Sequence, residues 1–482
     1  MGKIINTYKN MSLMAKASIW FVFCSLMQKG ISTITVPIFT RLLSTAEYGT
    51  YSLYLSWFNI LTIFTSLNMY YGVFNNALNR IKEPSKRDVY VSSMQGLTIT
   101  LTLVLAVIYF PLQGFWSDLL GLNKLALAMM LVHLMVEPSV QFWLARQRFE
   151  YKYKHAVALT MVKNILNPLL GLVFVFAADS DKATARIASV VVAEVIIAGS
   201  VMLFQFCRGK CFFKKEHWKY ALSFNVPLIP HYLSAVLLNQ ADRVMIQHYV
   251  GKAEVGIYSV AYNIGMLVQL FTNAINNSLT PWTYEKLNNR DYKSIRKNTN
   301  YLLLSLALAI CCVLLFVPEV VALFATEAYY DAIYVIPPIA CSVYFVFLYN
   351  IFAIPQMYYE RQKFMSVASM IAAGLNIALN AIFIPIFGYF AAGYTTVACY
   401  LLYSIGHYVF SRKVCMDKIG NMDLYDEKMI LAISMGVLAC SIGFNFLYRF
   451  NFIRYGLFLV IAVFAVIKKN AIVDMMKNIK RR

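Results

Sequence analysis

Charged and titratable side chains lie within several apolar stretches of the chain, and their types give them chemical capacity. A charge near the centre of a bilayer costs at least about 2.5–3.5 kcal/mol on insertion scales, so each one needs a partner or a function. Lysines can bind an anionic group such as phosphate, and buried carboxylates readily hold a proton. The residues concerned are Lys29, His133, Glu137, Lys163, Glu194 and His231.

Lys29 is the deepest of the cations. It follows Lys16 by 13 residues in the first apolar run, which places it about 20 Å into the membrane at 1.5 Å per helical residue. Two interpretations are open. Lys29 contacts an anionic substrate group in a cavity, or it forms a pair with a neighbouring carboxylate.

Glu137 and Lys163 are predicted at similar depth in consecutive segments, about 12–13 Å from the same membrane face. We expect them to form a structural ion pair, and a role in contacting substrate or carrying a proton is the alternative. Glu194 is expected either to form such a pair or to take part in proton coupling, since a carboxylate in a low dielectric holds its proton more readily. His133 and His231 are predicted near mid-depth, as hydrogen-bonded interior side chains or as proton carriers.

Further charged residues stand at the predicted ends of the apolar segments. At the outer ends, two roles are possible for the charged residues: they form the salt bridges of an outer gate, or they anchor the helices at the membrane interface. These residues are Arg41, Glu47, Asp242 and Arg243. At the cytoplasmic ends, Arg146 and Arg361 occupy matching positions in two similar motifs. They are expected either to bind lipid phosphate on entry or to be ordinary basic loop residues.

The segments that carry these residues are membrane helices. Of 482 residues, 60% are hydrophobic and only 14% are charged, and the mean hydropathy is +0.60, whereas a soluble domain has about a quarter charged residues. Apolar runs long enough to cross a bilayer recur throughout, without the alternation of a membrane barrel. We predict fourteen spans, approximately 17–39, 49–74, 90–111, 119–144, 155–178, 186–206, 220–240, 255–277, 300–324, 331–354, 364–386, 389–410, 429–448 and 453–468.

The net charge of +20 is explained by topology, not by nucleic-acid binding. With the N-terminus in the cytoplasm, the basic residues concentrate in the connections on that side, as the positive-inside rule requires. Both termini are therefore predicted to be cytoplasmic. The scattered cysteines show no metal-ligand spacing, and the short connections leave no room for a nucleotide-binding or catalytic domain.

An internal repeat organises the chain. The stretch AEYGTYSL from Ala46 recurs as AEVGIYSV from Ala253, at an offset of 207 residues, and RQRF from Arg146 recurs as RQKF from Arg361, at an offset of 215. Two matches at nearly one offset indicate a true repeat of six spans. An even number of spans gives both copies the same orientation, as in transporters built from parallel repeats. We expect an N-lobe over 1–207, a C-lobe over 208–412, and two extra spans with a basic tail over 413–482.

Three stretches resemble one family. They are PIFTRLLSTAEYGTYSL in the first hairpin, VPLIPHYLSAVLLNQADRVMIQHYVGKAEVGIYSVAY in spans seven and eight, and NIALNAIFIPIFGYFAAGYTT over 376–396. Together they resemble the Wzx-type polysaccharide flippases of the MOP (multidrug, oligosaccharidyl-lipid, polysaccharide) exporter superfamily, over nearly the whole chain. The resemblance implies an all-α fold of two six-helix lobes and alternating access. It also implies a cargo of undecaprenyl-pyrophosphate-linked oligosaccharide, moved from the inner to the outer leaflet.

On this interpretation, the pyrophosphate and sugar would meet a central cavity, with expected contacts from Lys29, Lys163, His231 and Asn376. The protein would be a transporter and not an enzyme, with no cofactor except a coupling ion, H⁺ or Na⁺. It would lie in the bacterial cytoplasmic membrane, with membrane lipid and the polymerase and glycosyltransferases of the same pathway as partners. The alternatives are a lipid II flippase, a cation-coupled multidrug exporter of the same fold, and, more remotely, a membrane-embedded polysaccharide polymerase or ligase.

Overall fold

The computed structural model describes residues 11–361, 363–420 and 423–467, and every regular element in those ranges is a helix. The chain divides into two compact units, residues 1–259 and 260–482. The lobe boundary expected at 207/208 stays a prediction.

The helices fall in chain order as follows. The first unit contains α1 (Leu13–Leu42), α2 (Thr45–Ser66), α3 (Gly72–Arg80), α4 (Pro84–Tyr109), α5 (Gln113–Leu120), α6 (Lys124–Phe149), α7 (Tyr153–Ala177), α8 (Lys182–Gly209), α9 (Lys215–Asn225) and α10 (Ile229–Tyr249). Helix α11 (Lys252–Gly265) contains the boundary, and the second unit continues with α12 (Val268–Asn288), α13 (Tyr292–Leu315), α14 (Val317–Phe324), α15 (Ile336–Tyr358), α16 (Lys363–Phe387), α17 (Phe390–Ile419), α18 (Glu427–Leu447) and α19 (Asn451–Ile467).

The all-helical membrane fold predicted from the sequence is confirmed. Each of the predicted spans coincides with a helix or with two consecutive helices. Within the described ranges, ten helical segments are long and apolar enough to cross a membrane, or eleven if the bent pair α11–α12 counts as one span. The predicted basic tail over 468–482 lies outside the described residues.

The first hairpin differs from expectation at Pro37. A proline inside a helix favours a kink or a break, yet α1 continues through Pro37 to Leu42. The chain turns only at Ser44, whose hydroxyl accepts a hydrogen bond from the Glu47 backbone N–H at 3.3 Å, while the Glu47 carboxylate accepts one from the Ser44 backbone N–H at 2.8 Å. This reciprocal capping box starts α2.

The repeat motif forms a close contact between two helices. A Cβ atom on Gly49 of α2 would overlap the backbone carbonyl of Lys252, and one on Gly256 of α11 would overlap that of Thr45. Both pairs are related by the repeat offset of 207 residues, so the contact is reciprocal, as at a twofold interface. Glycine at these positions lets the helix backbones touch.

Helix α8 lies at the centre of the first unit. It packs against both α6 and α7, and α6 and α7 contact each other only slightly. A cluster that includes Tyr54, Leu134 and Ile187, all fully buried, joins α2, α6 and α8. Helices α6 and α7 are therefore joined mainly through α8.

Helix α15 has the corresponding place in the second unit. It is apolar on all sides and buried over nearly its whole length, as expected of a helix surrounded by others. It packs chiefly against α17, and also against α18, where Tyr344 and Ser434 share a hydrogen bond at 3.3 Å. Helix α18, which the repeat leaves outside the lobes, is thus built into this unit.

Candidate functional site

The polar residues of the first unit form a stripe through its interior. Helices α7 and α8 run antiparallel, so a later position on α7 meets an earlier position on α8. Lys163 therefore faces Glu194, and Asn167 faces Arg186. The eight residues between Arg186 and Glu194 correspond to about 12 Å of depth. Helices α2 and α6 add tyrosine, histidine and carboxylate groups beside this pairing.

The central ion pair joins Lys163 to Glu194, with 2.8 Å between Nζ and Oε1. The Glu194 side chain is 4% exposed and that of Lys163 is 25% exposed, so the pair is largely shielded from solvent. The pair expected between Lys163 and Glu137 is wrong, because α8 lies between the helices that carry them.

Glu137 is nevertheless part of the cluster. Its Oε1 accepts a hydrogen bond from Gln141 Nε2 at 2.6 Å, and it interacts electrostatically with the Lys163 ammonium. Its Oε2, like Oε2 of Glu194, is buried and has no hydrogen-bond partner among the described residues. Two carboxylate oxygens with free lone pairs are suited to taking up a proton or a small cation.

His133 is a hydrogen-bonded interior histidine. It is 4% exposed, its Nδ1 lies 3.1 Å from the Tyr54 hydroxyl, and its ring stacks on Phe58 with 3.8 Å between centroids. The satisfied interior position predicted for it fits these contacts, and they anchor α6 to α2.

Arg186 is a buried cation that the sequence analysis missed. It is 4% exposed, donates to the Asn167 side-chain oxygen at 2.9 Å and to the Tyr51 hydroxyl at 3.3 Å, and lies 4.2 Å from the Phe39 ring centroid. Arg186 is the first residue of the predicted span over 186–206, a position where a charged residue is expected at the membrane boundary. The polar Asn167 inside the preceding span was the available signal.

A second missed residue is His407, in the predicted span over 389–410. It is fully buried in α17, and its backbone carbonyl and Nδ1 lie 2.9 and 3.2 Å from Gln356 Nε2 of α15. The Tyr349 ring packs against the His407 ring at a tilt, and the Tyr403 ring meets it edge-on. The second unit therefore has its own buried polar contact between its two central helices.

Lys29 differs from the other membrane cations. It lies on α1, half-buried, and among the described residues its ammonium has no ion-pair or hydrogen-bond partner. Its backbone carbonyl accepts a hydrogen bond from the Ser32 hydroxyl at 3.2 Å. The paired alternative predicted for Lys29 is thus not seen within the described chain.

The residues expected at the outer gate have local partners. Glu47 belongs to the capping box of α2, and its carboxylate also accepts from the Ser44 hydroxyl at 2.9 Å. Arg41 is exposed, and its guanidinium donates to the Pro37 carbonyl on its own helix at 2.7 Å. These contacts stabilise the hairpin between α1 and α2.

Asp242 and Arg243 are more deeply placed than the sequence suggests. Asp242 is fully buried and accepts from the Tyr258 hydroxyl at 2.5 Å, and Arg243 is 7% exposed and donates to the Ser259 hydroxyl at 3.1 Å. Tyr258 corresponds to Tyr51 under the repeat offset, and both tyrosines lie near an arginine. The two tyrosines are related by the repeat, whereas the two arginines come from positions that the repeat does not relate.

Arg146 is held in an ion-pair network at the end of α6. Its guanidinium bonds to Asp88 and, at 3.0 Å, to Glu150, and Lys152 contacts the other Glu150 oxygen at 2.6 Å. Burial by itself raises the pKa of the Glu150 carboxyl, but hydrogen bonds from Lys152 and Arg146 outweigh it and hold that pKa below its usual value. Arg361, the matching repeat position, is exposed.

The remaining two predicted contacts lie in different surroundings. His231 is partly exposed near the start of α10. Asn376 is 1% exposed on α16, where its Oδ1 accepts from Asn380 at 3.3 Å and its Nδ2 has no partner among the described residues. The Asn380 oxygen in turn accepts from the Thr395 hydroxyl of α17. The structure brings Lys163, Glu194, Glu137 and His133 together, but not these two.

Comparison with known proteins agrees with this architecture. Residues 14–286 match the family described as "Polysaccharide biosynthesis protein", and residues 227–382 match the MatE family. The chain is 22% identical to "Lsg locus putative protein 1" of Haemophilus influenzae over 75% of its own length and 89% of that protein.

Two solved structures show the same fold. One is the lipid II flippase MurJ in an inward closed conformation, with a TM-score of 0.67 and 15% identity, covering 94% of this chain and all of that one. The other is an inward-facing multidrug resistance MATE transporter of the MOP superfamily, with a TM-score of 0.62 and 13% identity, covering 82% of this chain and 96% of that one.

The family match covers more than half of the chain, and the helices have the length and composition of membrane spans. The chain therefore belongs to the polysaccharide biosynthesis protein family and is a multi-pass membrane protein.

Proposed function

We propose that the protein moves undecaprenyl-pyrophosphate-linked oligosaccharide from the inner to the outer leaflet by alternating access, for assembly of a surface polysaccharide. Its termini are placed in the cytoplasm, and the polymerase and glycosyltransferases of the same pathway are its functional partners. No covalent step is assigned to it. The observation that carries the proposal is the ammonium of Lys29, in a membrane helix, for which the described residues provide no ion-pair partner.

The argument depends on the contrast between two lysines. Lys163 is neutralised by Glu194 at 2.8 Å, so a structural role is sufficient to explain it. Lys29 has no such partner among the described residues, and its desolvation is not offset by an ion pair. A pyrophosphate crossing the bilayer needs positive charge, and charge-assisted hydrogen bonds to phosphate oxygens are strong. Lys29 is the described membrane cation most available to supply them.

The experiment replaces Lys29 in the strain from which the gene comes, at matched expression. We expect Lys29→Ala to reduce surface polysaccharide at least tenfold, with accumulation of the lipid-linked precursor on the inner leaflet, and Lys29→Arg to retain most of the activity. The matched control is Lys16→Ala, a lysine on the same helix near its N-terminal end. Normal polysaccharide with Lys29→Ala would overturn the role of Lys29.

We further propose that a proton or Na⁺ couples to transport through Glu137. Its buried Oε2 has no partner among the described residues, whereas Glu194 is committed to Lys163. Glu137→Gln would keep the bond to Gln141 and remove the charge. We expect this variant to transport at a rate that no longer changes with pH or with Na⁺. An unchanged dependence on both would reject Glu137 as the coupling group.

The alternatives differ in cargo, and two assays separate them. Rescue of a strain depleted of its lipid II flippase would identify a cell-wall precursor as the substrate. Raised drug resistance in a hypersensitive host would identify a drug exporter. The proposal requires that the protein does neither while restoring export in a strain that lacks its own oligosaccharide flippase.

A further inference from the structure

A cavity of about 290 Å³ opens in the first unit, where the last turns of α6 and α8 meet the start of α7 and the first turns of α4. It lies on the side of the membrane where the basic connections are found. Apolar side chains form part of its wall, among them Trp143 and Phe204, and Phe204 is 47% exposed. The cavity thus combines a polar interior with an apolar rim at the membrane boundary.

The two arginines that line this cavity differ in whether an acidic residue pairs with them. Arg146 is neutralised by Asp88 and Glu150, so it is not available to a ligand. Arg208, in contrast, is exposed, and among the described residues the only contact recorded for its guanidinium is the Phe204 ring, 4.7 Å away. One guanidinium on the cavity wall is therefore free to bind an anion.

The start of α7 adds a second source of positive potential. Its N-cap residue, Lys152, provides no side-chain hydrogen bond to the first turn, and both Lys152 and His155 line the cavity. A 25-residue helix presents unsatisfied N–H groups and the positive end of its dipole at this point. Such a helix end favours phosphate and carboxylate ligands.

Gln205 supplies an independent indication that a ligand is bound. It lines the cavity and is 6% exposed. Its Nε2 donates to the Ser139 carbonyl at 3.0 Å, while its Oε1 has no partner among the described residues. A buried acceptor without a donor costs about 1–3 kcal/mol, so a ligand that brings a hydroxyl hydrogen would remove that cost.

We propose that this cavity binds a phosphoester anion with a neighbouring hydroxyl group, such as the phosphoglycerol head group of an acidic membrane lipid. Arg208, His155 and the first turn of α7 contact the phosphate, and Gln205 accepts a hydrogen bond from the hydroxyl. The acyl chains leave past Phe204 into the bilayer. The site is separate from Lys29 and from the transported substrate, and it makes the stability of this unit depend on lipid composition.

The test measures lipid binding by the purified full-length protein. Lipid retention by native mass spectrometry and thermal unfolding are followed with phosphatidylglycerol, phosphatidic acid, phosphatidylcholine, glycerol 1-phosphate and inorganic phosphate. We expect phosphatidylglycerol to bind and to raise the unfolding temperature, and phosphatidylcholine to do neither. The double variant Arg208→Gln/His155→Ala should bind phosphatidylglycerol at least tenfold more weakly, and Gln205→Leu should lose the preference for phosphatidylglycerol over phosphatidic acid.

The control is Lys210→Gln, an exposed cation two residues beyond Arg208 that does not line the cavity. It should change the affinity less than twofold. Equal loss with this control, or equal binding of phosphatidylcholine, would overturn the site. If glycerol 1-phosphate or inorganic phosphate binds as tightly as the lipid, the anion site is supported and the lipid source is overturned. Binding is measured without transport, so neither result decides the proposed cargo.

Discussion

Removing one partner of the Lys163–Glu194 pair should cost far more than removing both. The Nζ–Oε1 distance is 2.8 Å, so the attraction is about 6 kcal/mol at an effective dielectric constant of about 20. Desolvation of the two groups offsets much of this attraction. Breaking a buried pair nevertheless costs about 3–5 kcal/mol, because one charge is left without compensation. The partial exposure of Lys163 places our expectation at the lower end, about 3 kcal/mol.

The two neutralising changes are Lys163→Met and Glu194→Gln, made singly and together. In the double variant neither charge remains, so we expect it to lie within about 1 kcal/mol of the wild type. With about 3 kcal/mol lost in each single variant, the resulting coupling energy has a magnitude of about 5–7 kcal/mol, and it is measured by a double-mutant cycle of reversible unfolding in mixed micelles. This range exceeds that of neutral hydrogen bonds between membrane helices, which average about 0.6 kcal/mol.

A coupling energy below about 0.5 kcal/mol would refute this reasoning, since it would mean that the two charges act independently in the folded protein. The same double variant separates structure from function. If the pair only holds α7 against α8, the stable double variant transports normally. A stable double variant without transport would instead give the pair a role in ion coupling or in substrate contact.

Three further predictions concern the helix ends and the repeat. Glu47→Gln should retain stability and transport, because glutamine also completes a capping box. Glu47→Ala should lower the free energy of unfolding by about 1 kcal/mol, as measured with denaturant. Loss of transport with Glu47→Gln would instead support a role in an outer gate. Gly49→Ala should lower the unfolding temperature, because the added methyl group forces α2 away from α11 at a cost of about 1–3 kcal/mol. The control is Gly436→Ala, where a Cβ meets nothing within 4 Å, and it should leave the unfolding temperature unchanged. The Glu150 carboxyl has a pKa below its usual value of 4.5. Its contribution to stability is therefore complete above pH 4.5 and is lost as the pH falls through the lowered pKa. In Glu150→Gln, the free energy of unfolding should fall less steeply as the pH is lowered below 4.5.

The positions of the spans could be predicted because a membrane imposes one strong rule on the sequence. A helix has to remain apolar for about 20 residues, and that signal is local, as the match of the predicted spans to α1–α19 shows. The repeat was also readable, since the motif that begins at Ala46 recurs at Ala253. The structural role of this motif could not be predicted from the sequence. Its glycine is explained only by the crossing of α2 and α11, which a sequence comparison does not contain.

The partners within the candidate site could not be predicted, and the reason is geometric. Residue counting gives depth along a helix, at 1.5 Å per residue, and by depth Glu137 was the expected partner for Lys163, whereas Glu194 was assigned no partner. The choice depends on which helices are neighbours, and α8 lies between α6 and α7. The same limit concealed Arg186, whose depth placed it at the boundary while its contacts with Asn167 and Tyr51 place it inside the unit. Counted with these partners, Lys163 and Arg186 balance Glu137 and Glu194. An anionic cargo would therefore gain little from this neutral stripe, so its positive contact must come from a membrane cation such as Lys29, whose charge no described residue cancels.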